Sequence, residues 1–194
     1  MIEVRPGGRR RIDRVLAPDY ADGLAQLTLG AVRARRDEAA QEETDLSYLR
    51  RLLHGRIDIV RAEQRRRREG ATTSVMDELP AILADNALGP ANGSGRFQTM
   101  EPSRAEAHRR HVEALVSDVD LSDVGARSDV QLESALAAYT TEEVSVSQRR
   151  REVQRVVDTL NAEIGSRYAR GDASVDERLA EQSRAAEPDE RNQP

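Results

Sequence analysis

From Thr28 to Arg68 the chain runs without a proline, and Leu29, Val32, Leu46, Leu49, Leu53, Ile57 and Val60 recur at sums of threes and fours. That period is helical and keeps the apolar side chains on one stripe. A second proline-free stretch, from Ser128 to Arg170, carries Leu132, Leu136, Val146, Val153, Val157, Leu160 and Ile164 in the same way. Each stretch spells a helix of ~60 Å at 1.5 Å per residue. A helix of that length with a single apolar stripe is not stable alone in water and needs another helix to cover the stripe. The nearest partner is the other stretch, folded back as an antiparallel coiled coil.

The punctuation agrees. The first stretch ends in RRRREG, where basic residues suit a helix C-terminus and Gly70 a stop. Ser128 is a good N-cap for the second, and Gly171 ends it. The expected fold is all-α: a long antiparallel two-helix coiled coil with short helices in the connecting segment and disordered termini. Residues 1–20, basic with Pro6, Gly7 and Gly8, read as a mostly unstructured, flexible arm. The first coiled-coil helix falls within 21–70, a linker with short helices within 71–127, the second coiled-coil helix within 128–171, and a polar tail within 172–194. In the linker TTSVMDELPAILADN has room for one short helix, NALGPANGSGRFQTMEPSR is Gly-, Pro- and Ser-rich, and residues 113–127 suggest another short helix.

Composition supports a seam over a thick core. Only 38% of residues are hydrophobic, 34% are charged, and there is one Phe and no Trp. Without cysteine there is no disulfide, thiolate metal site or cysteine nucleophile. No signal peptide and no apolar run near the ~20 residues of a membrane span is present, so a cytoplasmic protein is expected. The net charge of -5 argues against general nucleic-acid binding.

One stripe of polar residues is not explained by the coiled coil. Glu143, Ser147, Arg150, Gln154 and Asp158 follow at steps of four, three, four and four. A hundred residues earlier Glu43, Ser47, Arg50, His54 and Asp58 follow at the same steps. On a helix each set forms a drifting row ~22 Å long beside the apolar seam. Folding the helices back brings the rows to similar height, giving a polar site with approximate two-fold symmetry. Its residue types suit a guanine nucleotide. Arginine forks onto guanine O6 and N7 or pairs phosphate, and carboxylates accept from the guanine N–H edge. Serine and glutamine bond phosphate oxygens or ribose. The bland alternative is a solvated coiled-coil flank, where Glu and Arg are common. Repetition weighs against it, as does the presence of Ser and Asp, which are poor mid-helix formers.

Other clusters carry less. Arg65–Arg68 and Arg149–Arg151 lack the interleaved aromatics of a base-stacking surface and read as solvated helix faces, Arg150 excepted. His108 and His111 have no cysteine partners for a metal site. No Ser-His-Asp set or Gly-rich phosphate loop stands out, and no enzymatic activity is expected.

The paired motifs resemble the E-x3-S-x2-R-x3-Q-x3-D signature of the RsiG family of actinobacterial anti-sigma factors. DLSYLRRLLHGRIDI, MDELPAIL, VSDVDLSDV and RRREVQRVVDTLNAEI are likewise similar to family sequence. The resemblance implies a motif on each helix of an antiparallel coiled coil, with cyclic di-GMP as regulatory ligand and no metal. It implies that the loaded protein sequesters a WhiG-type sporulation sigma factor from RNA polymerase. The site residues it implies are Glu43, Ser47, Arg50, His54 and Asp58 with Glu143, Ser147, Arg150, Gln154 and Asp158. The second motif matches throughout. The first has His54 where glutamine is expected, which keeps one hydrogen bond and loses the amide's paired geometry. A cyclic di-GMP-binding coiled coil with another client, and a ligand-free structural coiled coil, stand as alternatives. Direct nucleic-acid or membrane binding is not expected, and the protein alone should be a monomer.

Overall fold

The computed structural model describes residues 2–70, 114 and 121–171, and no strand occurs among them. After a short helix α1 (Arg11–Val15), two long helices dominate, α2 (Leu29–Glu69) and α3 (Asp129–Arg170). Their ends are set locally. Thr28 Oγ1 accepts the Ala31 N–H at 3.2 Å and starts α2. Ser128 and Gln131 form a reciprocal capping box at the start of α3. Gly70 and Gly171 close the two helices with φ of 65° and 80°, a left-handed turn that glycine adopts without a Cβ clash.

The helices run antiparallel. Arg33 of α2 bonds the Tyr168 hydroxyl of α3 at one end. Arg67 reaches Asp129 at the other. Between them lies one seam, in which Val32, Leu46, Leu49, Leu53, Val60, Val146, Val153 and Leu160 have no exposed surface. Leu136, Val157 and Ile164 are half-buried against it. Ala39 and Tyr139, a small residue and a large one, are also fully buried in the seam.

The two halves repeat one another's construction. A 3-10 turn, Leu24–Gln26 or Leu121–Ala126, leads into each long helix and buries one apolar residue, Leu24 or Val124. Near the end of each helix an arginine reaches across to the turn that precedes the other helix. Arg67 donates to the carbonyls of Gly125 and Arg127 at 3.1 and 2.7 Å. Arg167 donates to those of Leu24 and Leu27. Each is steadied by a carboxylate four residues before it, Glu63 or Glu163.

The N-terminal segment corrects the sequence expectation of a flexible arm over 1–20. It is folded onto the coiled coil, with Ile2, Ile12 and Val15 buried. Arg11 pairs with Glu42 and Asp45, both almost fully buried, and Arg14 pairs with Glu38. The Tyr20 hydroxyl donates to Glu38 or the Arg35 carbonyl, each 2.9 Å away. The Ile2 N–H donates to Ser145 Oγ at 2.8 Å, so the segment spans both helices. The cause is electrostatic. Acids buried on α2 need cations, and the basic run supplies them. Gly8 makes the turn possible, because a Cβ there would lie 2.3 Å from Asp13 Oδ2. That Asp13 carboxylate takes Arg10 and the Arg5 N–H.

Of the connecting segment expected to hold short helices, residues 121–126 form the 3-10 turn. TTSVMDELPAILADN, the Gly- and Pro-rich stretch, His108, His111 and the polar tail of 172–194 lie outside the described residues.

Candidate ligand site

The repeated polar rows lie on one flank of the seam, and the antiparallel register brings their first three members, and His54, together. Two clusters result, related by an approximate two-fold axis between the helices. In one, Arg150 Nη1 donates across the seam to Glu43 Oε1 at 2.9 Å. The same oxygen accepts the Ser47 hydroxyl at 2.7 Å. In the other, Glu143 Oε1 accepts the Ser147 hydroxyl at 2.6 Å and faces His54 Nε2 at 2.9 Å. A carboxylate only accepts, so His54 Nε2 carries the proton. Arg50 Nε donates to Ser147 Oγ at 3.0 Å and stands 3.4 Å from Glu143 Oε1.

The remaining members lie toward the outer ends of the rows. Gln154 donates to Asp158 Oδ1 at 3.2 Å along α3, not across the seam. Asp158 is exposed, and Asp58 is partly buried on α2. Thus seven of the ten sequence-derived residues, Glu43, Ser47, Arg50, His54, Glu143, Ser147 and Arg150, meet across the helices, while Gln154 and Asp158 pair with each other along α3.

Local chemistry explains the spacing. Glu and Ser four apart on a helix are neighbours on its surface, so each serine hydroxyl fixes its own glutamate. The arginine three residues further on projects over the next turn toward the partner helix. Burial opposes charge on Glu143, but hydrogen bonds from Ser147 and His54, with the positive field of His54 and Arg50, outweigh it and hold the carboxyl below the usual carboxylate range. Arg150 Nε is buried without a hydrogen-bond acceptor among the described residues. An orphaned guanidinium N–H costs free energy and is relieved by an added acceptor. The ensemble offers arginine forks, hydroxyls and carboxylates in a row between two helices. That set can hold a polar ligand bearing both anionic oxygens and N–H donors.

Sequence reasoning missed the polar residues on the other flank. Glu38 and Asp45 on α2, and Ser145 and Glu152 on α3, are each seven apart there. They receive Arg14, Arg11, the Ile2 N–H and Arg149 respectively. The signal available was Glu42 and Glu142, a hundred residues apart and both buried. Arg149, read as a solvated face, bonds the Ile2 carbonyl at 3.1 Å. Of the run 65–68, Arg66 and Arg67 pair with Glu63, holding its carboxyl below the ordinary range. No group of three or more His, Cys, Asp or Glu suited to a metal ion occurs among the described residues. Nor is any described helix long and apolar enough to cross a membrane.

A protein-family model described as RsiG-like matches residues 18–83 and again residues 118–183. The two matches start and end a hundred residues apart, the offset that separates the polar rows, the N-caps Thr28 and Ser128, and the arginine clamps. A search of curated proteins found no match.

Proposed function

Because the chain belongs to the RsiG-like family, we propose that it is an anti-sigma factor that binds cyclic di-GMP through its two polar rows and, when loaded, holds a WhiG-type sigma factor away from RNA polymerase. Family membership supports the anti-sigma role in general. The nucleotide and the client rest on the motif. The observation that carries the reading is the meeting of the two motif copies across the seam, with Arg150 on Glu43 and Arg50 beside Glu143. Two copies of a mixed Glu-Ser-Arg set around an approximate two-fold axis suit a ligand that is itself two-fold. A cyclic dinucleotide is such a ligand.

In this reading Arg50 and Arg150 take guanine edges or phosphate oxygens in charge-assisted bonds. Asp58 and Asp158, at the outer ends of the rows, accept from the guanine ring N–H and amino group. Ser47, Ser147, His54 and Gln154 complete the polar contacts. Helix flanks so rich in charge give a protein client little apolar area, a poor hot spot. Planar bases held in the groove add rigid surface, so the nucleotide acts as interface material. The protein has no catalytic role here and works in the cytoplasm, where sigma factors and polymerase meet.

The test is a pair of titrations: nucleotide affinity with and without the sigma factor, and sigma affinity with and without nucleotide. Linkage requires both to tighten by the same factor. Sigma binding that is equal in the absence of cyclic di-GMP removes the nucleotide as the switch. One observation favours a ligand-free structural coiled coil: the motif already closes on itself through Arg150–Glu43 and His54–Glu143. That second reading expects no cyclic di-GMP binding at micromolar concentrations.

A further inference from the structure

The two clusters ought to be equivalent under the two-fold, and they are not. On one side the arginine tip is engaged, with Arg150 Nη1 on Glu43 at 2.9 Å. On the other the corresponding pair is replaced. Arg50 uses Nε, inward, on Ser147, and its nearest approach to Glu143 is 3.4 Å. The difference traces to one residue. His54 sits 2.9 Å from Glu143 Oε1, the oxygen that Arg50 would need. The twin of His54, Gln154, makes no equivalent bond to Glu43 and turns to Asp158 instead. Arg50 is also the more open, with 41% of its side chain exposed against 30% for Arg150.

Resting on the nucleotide-binding reading above, we infer that the half-sites are unequal: His54, by occupying Glu143, makes Arg50 the arginine that contributes most to capture of an anionic nucleotide. The terminal nitrogens of Arg50 form no hydrogen bond with a described residue, so its fork meets a phosphate or guanine edge with no bond to break. Arg150 must first leave Glu43; an acceptor for its orphaned Nε returns part of that loss, but the charge-assisted bond given up is the larger of the two. His54 is therefore a positioning residue. It acts through Glu143 on Arg50, whatever contact of its own it makes with the ligand.

The experiment is calorimetric titration of the full chain with cyclic di-GMP for the wild type, Arg50→Ala, Arg150→Ala, and the same two arginine variants in a His54→Gln background. In the wild-type background Arg50→Ala should weaken binding about tenfold more than Arg150→Ala, one charge-assisted bond's worth. Glutamine at position 54 frees Glu143 to hold Arg50 as Glu43 holds Arg150. The two arginine effects should then agree within about twofold. Equal arginine effects in the wild-type background overturn the inference, as does a difference that persists in His54→Gln. Circular dichroism of each variant checks helicity, and Arg50→Gln replaces Arg50→Ala if the latter fails to fold. Absence of nucleotide binding by the wild type is a separate outcome, which overturns the functional reading and this inference with it.

Discussion

The Glu143 carboxyl shows how single side chains set the behaviour of the seam. It is held below the ordinary carboxylate value of 4.5 against the pull of burial. Asp13, held down by Arg10 and the Arg5 N–H against burial, and Glu63, held down by Arg66 and Arg67, are lowered too. A carboxylate with a depressed folded-state pKa binds protons less readily folded than unfolded. Its stabilisation is complete above the unfolded value, and is lost as pH falls through the folded one. Helicity should therefore hold to about pH 5 and melt progressively below pH 4, and an acid titration followed by circular dichroism tests this. Glu143→Gln should cost about 1 kcal/mol at pH 7 and flatten part of the acid limb. In the proposed nucleotide reading, selectivity falls to the outer acids. Asp58→Asn with Asp158→Asn should bring cyclic di-GMP affinity down toward that for cyclic di-AMP, because adenine offers no matching pair of donors at that edge. Unchanged discrimination by the double variant contradicts this role. The identities of these residues were legible, since spacing alone places Glu, Ser and Arg in a row. Their pairings were not. Which arginine reaches which glutamate depends on the register between two helices, and the displacement of Arg50 by His54 appears only once both are in place.

Among the elements, the long helices were legible and the N-terminal segment was not. Ser128, Gly70 and Gly171 are local signals, acting within a turn of the helix ends they set. The segment over 2–27 has only a five-residue helix, Arg11–Val15, and the 3-10 turn Leu24–Gln26, and its first half is held by partners 31 and 34 residues away, Glu42 and Asp45. No local pattern encodes such contacts, so a run of arginines reads as solvated. The same chemistry makes a strong prediction. Arg11→Ala removes the cation shared by two buried carboxylates and should destabilise the protein by about 3 kcal/mol, in the range of broken buried pairs. Replacing Arg14, whose side chain is half exposed, should cost little, as for exposed ion pairs. Urea denaturation of both variants provides the comparison, and equal costs contradict the account.

At the scale of the whole molecule, each half supplies what the other lacks. The seam of α2 is covered by α3, and the arginine clamp of each helix secures the turn before the other. A chain that satisfies its own stripes has no reason to exchange them, so the protein alone should sediment at its monomer mass of 21.6 kDa. A stable dimer at low micromolar concentration contradicts this. The architecture was readable because two matched stripes in one chain leave a single economical pairing. The brace on its back was not, for the reason already given. That brace makes the molecule asymmetric in a way its repeated sequence does not suggest. Ile2 bonded to Ser145, and Arg11 to Glu42 and Asp45, tie α2 and α3 together along one flank at the level of the motif. The opposite flank is held by the motif's own polar bonds. Two rods bound along one edge part like the covers of a book, about the spine. Whatever enters between Arg50 and Arg150 widens the fore-edge and leaves the spine shut, so a spin-label distance measured across the motif flank should lengthen with ligand while one measured across the braced flank stays constant.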